Sequence, residues 1–421
     1  MATRNRPSTS RIGIIGGGPA GLTAAHYLTR CGYPDVTVLE RENRVGGKCC
    51  SVRRGGHVYE MGAVLATRNY ATTRELMDCV GMDGAPTDGV NCFDLEGHPI
   101  DLFPRRQIPR LLWQVLVHYA WATQVRYRQI NGPGLAGVDP DLCEPFQEFA
   151  EHHGLPSLQG ALAPPFTAFG YGYFSEVPTA YVMKYLDLHM IESLRSPSRR
   201  LVWPEGVETL WSRIAEQHDV RTGVTVRHVT RSDTVRVETE QDVLEFDDLI
   251  LTSPLDDALG YLDASPTERR LFSAIRTYDY WVLLCRIDGL PDSSGFLPAH
   301  FLSEARGHLM MWYHRWHDEP LYTLYALGDG SMTEDDIERT CAADLQHLGA
   351  WLDEVVDARC WKYFPHVTSS VMADGFYDDL EELQGTRHTY YAGELMSFST
   401  IERSASYSRD LVDRFFAPQD A

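Results

Sequence analysis

Near the start of the chain, Gly16-Gly17-Gly18-Pro19-Ala20-Gly21 has the residue types and spacing of a phosphate-binding turn. In a G-x-G-x-x-G turn each glycine has its own task. Gly16 makes the tight turn, Gly18 lets backbone approach a pyrophosphate, and Gly21 lets a helix pack on a strand. With Pro19 and Ala20 in its first turn, that helix offers unpaired N–H groups to an anion. Glu40 ends the next apolar run, 19 residues after Gly21, where it would accept ribose hydroxyls. Turn and acid together point to a dinucleotide site. Arg41 and then Arg44-Val45-Gly46-Gly47-Lys48 add a second glycine turn that would bring backbone near the same cofactor. A solvated basic turn is the alternative.

The other stretch that could do chemistry is Pro164-Pro165-Phe166-Thr167-Ala168-Phe169-Gly170-Tyr171-Gly172-Tyr173-Phe174. Five aromatics in nine residues, with glycines between them, follow neither a helical nor a strand period. They read either as a core loop rich in ring contacts or as an aromatic wall for an apolar or cationic species. Nine cysteines form no C-x-x-C pair, so neither a zinc site nor a disulfide scaffold is expected, and no metal.

The elements that must position these residues can be read from periodicity. Arg11 to Ile15, Pro19 to Cys31 and Val36 to Leu39 read as strand, helix, strand, a βαβ unit around the glycine turn. Patterns from Thr72 to Ile191 are mostly helical. In Arg106 to Tyr127 the apolar set Ile108, Leu111, Leu112, Val115, Leu116 and Tyr119 lies opposite Arg106, Arg110, Gln114 and His118. Trp113, Val117 and Trp121 widen the apolar face, and Arg105, Arg126 and Arg128 bracket it. That helix is either a solvated face over a core stripe or an entrance that docks on lipid or an acyl carrier. Strand-like runs follow at Thr225 to Thr230, Leu249 to Thr252, Trp281 to Ile287, Leu309 to His314, Leu321 to Leu327 and Thr389 to Tyr391. A helix with a Thr333-x-x-Asp336 start lies among them, and another closes the chain near Phe416.

These elements predict an α/β protein of interleaved lobes. Residues 1–70, 205–260 and 380–421 form a nucleotide domain, 71–204 a mainly helical entrance, and 261–379 a mixed-sheet substrate domain. With 421 residues, 43% hydrophobic and 23% charged, the composition is that of a folded globular chain. Its 38 basic and 59 acidic residues give a net charge of −21, which argues against a nucleic-acid partner. No apolar leader precedes Ile12, so a cytoplasmic protein is expected. The oligomeric state is not legible.

The motifs carry a resemblance. Arg44-Val45-Gly46-Gly47-Lys48 resembles the R-x-G-G-R segment of flavin amine oxidases, with Lys48 where arginine is usual. Tyr59-Glu60-Met61-Gly62-Ala63 is similar to their strand under the isoalloxazine, and Thr225-Val226-Arg227-His228-Val229 to their adenine-side strand. Tyr390-Tyr391-Ala392-Gly393-Glu394 resembles their C-terminal motif, whose following helix, here carrying Ser404, points at the flavin. The resemblance implies a glutathione-reductase-type Rossmann domain holding non-covalent FAD. Its cofactor-binding residues are then Gly16, Gly18, Pro19, Ala20, Gly21, Glu40, Arg41, Gly46, Gly47, Lys48, Met61, Gly62, Ala63, Val226, Gly393, Glu394 and Ser404.

A narrower resemblance spans Arg11 to Phe416. P-F-T-A-F-G-Y-G at 165–172, V-P-x-A-Y-V-x-K-Y-L-D at 177–187, Gly307 to Trp316, Tyr363 to Val367 and Tyr391 to Phe398 are similar to bacterial polyunsaturated fatty acid double-bond isomerases, the linoleate isomerases. The resemblance implies hydride transfer from a methylene between double bonds to flavin N5, and its return to another carbon. Phe166, Phe169, Tyr171 and Tyr173 would face the allylic cation. In that family an arginine and a phenylalanine close on the free carboxylate. Here Val90 and Leu194 stand in their places, and no Arg or Lys occurs from Glu75 to Leu102. The expected substrate is therefore an apolar polyunsaturated acyl chain with a neutral or carrier-linked head. Arg195, Arg199 and Arg200 would meet the carrier, unless they are a solvated cluster. Rival readings are an amine oxidase, a polyene desaturase and a non-catalytic flavoprotein. Amine oxidases generally place a lysine on the first strand of the substrate domain, whereas the chain's lysines are Lys48, Lys184 and Lys362.

Overall fold

The computed structural model describes residues 9–101, 105–194 and 199–418. Its first layer is a five-stranded parallel sheet. Ile12–Ile15 sits at the centre, buried along its whole length, between Val36–Leu39 and Asp248–Leu251. Thr389–Tyr391 and Asp219–Arg221 form the edges. Strands buried on both faces can be apolar without alternation, which is why Ile12–Ile15 reads as a continuous run. Helix Pro19–Arg30 covers one face and packs on the closing helix Ile401–Phe415.

The second layer is a six-stranded sheet. Arg276–Asp288 lies between Leu321–Gly328 and the 16-residue strand Trp351–His366, both antiparallel to it. Leu309–Tyr313, Ser294–Phe296 and Val90–Cys92 complete the sheet, the last pair parallel. Val226–Arg231 starts a separate three-stranded antiparallel sheet. Arg231 fastens that sheet to the parallel one. Its guanidinium, fully buried, donates to Glu268 at 2.6 and 2.9 Å and to Asp263 at 2.7 Å, and Glu268 also accepts from Tyr391 at 2.5 Å.

The expected strands and the βαβ unit are present, and the Thr333–Asp336 capping box forms at the start of Glu334–His347. One expectation is corrected. In the segment after Arg105 the buried face is only partly the predicted one: Tyr119 is buried and Leu111 and Val115 pack half-buried on the core, as expected, but other positions differ. Gln114 is buried and donates to Gly154 O at 2.8 Å, while Ile108 and Leu112 are exposed. Ile108 and Leu112 lie in the α-helical stretch Ile108–Trp113, and beyond it the backbone widens into π turns at Gln114–Tyr119 and Ala122–Arg126. Wider turns shift every later side chain around the axis relative to an α-helical count.

Candidate active site

The glycine turn is built as its residues require. Gly16 has φ +114°, and a Cβ there would lie 2.6 Å from Thr252 Oγ1. A Cβ on Gly21 would lie 1.9 Å from Gly16 O, so only glycine lets the helix begin this close to the strand. Gly18 is different. Its backbone is extended, φ −82°, and a Cβ there would have only Gly47 Cα near it, at 3.9 Å. Gly18 caps the helix with no side chain bonded to the first N–H groups, which leaves them to an anion. Pro19 opens the helix, and the Ala20 methyl faces the turn at Gly393.

The second glycine turn closes on the first. Gly46 N donates to Gly17 O at 2.8 Å, and both Gly46 and Gly47 adopt positive φ. Glu40 is buried and accepts from the N–H groups of Gly17 at 2.7 Å and Glu42 at 2.8 Å. Val224 N bonds back to Glu40 O at 2.9 Å, which sets the start of the Val226 strand beside the acid. Lys48 donates to both carboxylate oxygens of Glu394, at 2.9 and 2.8 Å. Met61 is fully buried and its carbonyl accepts from Trp361 Nε1. A Cβ on Gly62 would strike Lys48 O at 1.8 Å, and Ala63 N donates to that oxygen at 3.1 Å.

Two expected cofactor residues stand apart. Arg41 is exposed at the rim, 3.7 Å from Glu42. Ser404 is buried one turn inside the closing helix, and its recorded bonds are that helix's own. The rest form one groove with a fixed acid at one end, open N–H groups in the middle, and an ion pair at the other. That donor set, with space beside Gly18 that a Cβ would fill, fits an extended flavin dinucleotide.

Beyond Gly62 and Ala63 lies a chamber walled by Phe169, Tyr171, Tyr185, Tyr280, Tyr325 and Tyr363, with Ser399, Thr400 and Ile401 at its edge. The rings lie against one another. Tyr171 and Tyr363 stack at 5.6 Å and 25°, Tyr280 and Tyr363 at 5.1 Å and 26°. Two hydroxyls turn away to backbone: Tyr280 donates to Ala168 O at 2.7 Å and Tyr171 to Ser399 O at 3.2 Å. The buried hydroxyl of Tyr325 has no partner. Burial pushes the Tyr171, Tyr185, Tyr280 and Tyr363 hydroxyls well above their ordinary pKa, so the wall is neutral π surface. Among the described residues lining this chamber there is no acid, lysine, histidine or cysteine.

Of the four rings expected to face substrate, the structure brings Phe169 and Tyr171 to the chamber. Phe166 lies behind them, packed on Tyr171 at 5.5 Å and Tyr185 at 6.1 Å, because it sits within helix Pro156–Thr167, before the turn. Tyr173 lies under Arg306, 5.0 Å from its ring centroid. The loop glycines explain the split. Cβ atoms on Gly170 and Gly172 would each come within 2.6 Å of a tyrosine ring, Tyr280 and Tyr278 respectively. The loop thus lies flat on that strand, and Tyr171 alone projects between the two contacts. Sequence reading missed Tyr185, Tyr280, Tyr325 and Tyr363 as a wall. For Tyr280, Tyr325 and Tyr363 the only signal was tyrosine at strand positions that the sheet later turns to one face, and Tyr185 ends helix Thr179–Tyr185.

Thr67, Tyr70, Tyr185, Met190 and Thr400 also border an outer, more polar lobe. There Arg403 is paired with Asp187 at 2.9 Å, and Glu402 accepts from the N–H groups of Thr72 and Thr73 at 3.0 and 2.8 Å. The described residues lining it include one cation and two acids, a net negative charge. Val90 is half-buried in the sheet and lines neither lobe. The Leu194 side chain and Arg195 lie outside the described residues. Arg199 pairs with Glu192 at 3.1 Å. Arg200 is half-buried beside Thr67 across a strand pair, with an unpartnered Nε, so Arg199 and Arg200 do not share one exposed cluster. The lysines are all engaged: Lys48 with Glu394, Lys362 with Asp256 and Asp257 at 2.5 and 2.6 Å, and buried Lys184 with the carbonyls of Ile130, Gly132 and Gly134.

A parallel sheet with a double glycine cradle, joined to a mixed sheet that walls an apolar chamber, defines a flavin oxidoreductase. The chain belongs to the flavin containing amine oxidoreductases, whose family model matches residues 19–404. Its fold is similar to that of a CLA-producing fatty acid isomerase from P. acnes, at 35% identity and TM-score 0.93, covering 98% of this chain and all of the other. It is also similar to the FAD-dependent oxidoreductase dpasF of Apiospora sacchari, 28% identical over 91% of this chain and 87% of the relative. Beta-cyclopiazonate dehydrogenase of Aspergillus oryzae is 26% identical over 95% and 92%. A putrescine oxidase shares the fold at TM-score 0.71 and 14% identity. Among the described residues no helix is long and apolar enough to cross a membrane.

Proposed function

We propose that the chain is an FAD-dependent isomerase that moves a C=C bond within a polyunsaturated acyl chain. The observation that carries this reading is the chamber itself: neutral tyrosine rings with no titratable base, nucleophile or amine-binding acid among them. Bound FAD supplies a two-electron acceptor that takes a hydride from an activated methylene and gives it back at another carbon. What the protein must add is a place where an allylic cation survives. The rings of Tyr171 and Tyr280 offer π surface to such a charge, worth on the order of 1–2 kcal/mol per ring when desolvated. Their hydroxyls, turned to Ser399 O and Ala168 O, are withheld from the cation as nucleophiles. The absence of acid, histidine and lysine from the lining protects the cation from deprotonation. Ser399, Thr400 and Ile401 bring a helix N-terminus to the chamber's edge, favouring negative charge there.

The similarity to a CLA-producing fatty acid isomerase supports the acyl substrate. The head group is neutral or carrier-linked on this reading. Among the described residues of the outer lobe the one lining cation, Arg403, is already paired with Asp187, and Glu402 adds a second fixed negative charge. A free carboxylate entering there meets repulsion rather than a partner. Anaerobic incubation with a polyene panel tests the function. The expected product has the substrate's mass and a shifted absorption spectrum, with no peroxide formed on admitting air. A product lighter by two hydrogens would instead support the oxidase or desaturase reading. Comparing a free acid with its thioester tests the head group: a higher kcat/KM for the acid would overturn that part and point to Arg200.

A further inference from the structure

The surface that follows Arg105 is the place where apolar side chains gather outside the core. Of the eleven large exposed hydrophobics among the described residues, six fall between Ile108 and Val125: Ile108, Leu112, Trp113, Val117, Trp121 and Val125. Trp113 and Trp121 are each more than half exposed, at 54% and 55%. Ile108, Leu112, Val117, Trp121 and Val125 are spaced by four or five residues. On an α-helix that spacing would wind around the axis. Here the π turns at Gln114–Tyr119 and Ala122–Arg126 widen the helix, and all five side chains are exposed. The widened backbone thus makes one apolar ridge, while Gln114, Tyr119 and Thr123 face inward.

The charge on this ridge opposes that of the whole chain. From Leu102 to Val138 there is no Asp or Glu, although the protein carries −21. Five arginines occur in the same stretch, three at the start of the ridge and two just after it. Among the described residues Arg106, Arg110 and Arg128 make no ion pair. The ridge is also tied to the mouth of the cavity. Tyr119 donates to Leu186 O at 3.0 Å, next to Asp187 of the outer lobe, and Asn131 and Pro133, just after the last turn, line that lobe.

We propose that this ridge docks the enzyme on an anionic lipid surface, with Trp113 and Trp121 at headgroup depth and Arg106, Arg110 and Arg128 on the phosphates. Apolar centre and flanking arginines are the pattern of a helix lying in a membrane interface. An acyl chain leaving that surface enters the outer lobe without crossing water. The inference rests on the acyl-substrate reading for its purpose, but its test uses no substrate.

The test is co-sedimentation of the flavin-loaded protein with vesicles of phosphatidylcholine, alone or mixed with phosphatidylglycerol. Binding is expected to the mixed vesicles and to weaken with salt. Each arginine near such a surface contributes about fivefold, so Arg106→Gln with Arg110→Gln lowers affinity on the order of 25-fold. Trp113→Glu with Trp121→Glu abolishes binding while the flavin spectrum and melting temperature stay unchanged. Protein that remains in the supernatant with both vesicle types would overturn the proposal, as would undiminished binding of the Glu variant. So would a wild-type dimer that the Glu variant converts to monomer, or binding of an acidic acyl carrier protein in place of vesicles.

Discussion

Replacing Gly18 with alanine separates the cradle's role in folding from its role in holding a cofactor. The added methyl has Gly47 Cα at 3.9 Å as its nearest neighbour, and φ −82° with ψ −175° is open to any residue. Fewer unfolded conformations favour alanine by about 0.4–1 kcal/mol. Loss of a glycine at the helix cap costs a similar amount, so the cofactor-free protein should melt within about 2 °C of wild type. The methyl, however, fills the gap between Gly18 and Gly47 through which an anion reaches the free N–H groups. Losing one charge-assisted hydrogen bond costs about 1.5–3 kcal/mol, roughly ten- to a hundredfold in flavin affinity. Gly21→Ala is the counter-case. Its methyl would sit 1.9 Å from Gly16 O, about 1.4 Å inside the 3.3 Å at which carbon and carbonyl oxygen meet. That variant should lose stability before any cofactor is added. Apo-protein melting and fluorescence titration with FAD distinguish the two. An alanine at position 18 that bound FAD as tightly as glycine would refute this account of the cradle.

Other consequences concern the buried polar groups. Glu268→Gln leaves the fully buried Arg231 without its main partner and should cost about 3–5 kcal/mol in chemical unfolding. Burial opposes the Glu268 charge, but Arg231 and Tyr391 outweigh it and hold its pKa at about 2. Its contribution is therefore full above the unfolded value near 4.5 and disappears as pH falls toward 2; the Gln variant should flatten that part of the melting-temperature profile. Tyr325→Phe removes a buried hydroxyl that has no partner, so thermal melting should not fall. Tyr280→Phe breaks the bond to Ala168 O and should cost about 1 kcal/mol by the same measurement.

What could be read in the sequence was local. The turn at Gly16 to Gly21 and the acid at Glu40 are set by backbone sterics and a short strand-helix-strand unit, so residue type alone announces them. The capping box at Thr333 is equally local. The strand Trp351–His366 gave no such signal. It is an edge strand with one unpaired side, and its residues mix polar and apolar with no clean alternation. Beyond Gln114 the face of the segment after Arg105 is hidden from a 3.6-residue count, which does not apply through π turns. The tyrosine wall was hidden for another reason. Tyr185, Tyr280, Tyr325 and Tyr363 come from a helix and three strands, and only the pairing of those strands brings their rings together.

The central claim is that the reaction is internal to the substrate. It is tested most directly by a polyene carrying deuterium at the methylene between its double bonds, mixed with unlabelled substrate and turned over without O₂ or NAD(P)H. The account predicts product of unchanged mass with the deuterium at a new carbon of the same molecule, and no exchange of label between molecules beyond a slow leak to solvent. Deuterium lost from the product in step with turnover, with peroxide accumulating once O₂ is supplied, would contradict it.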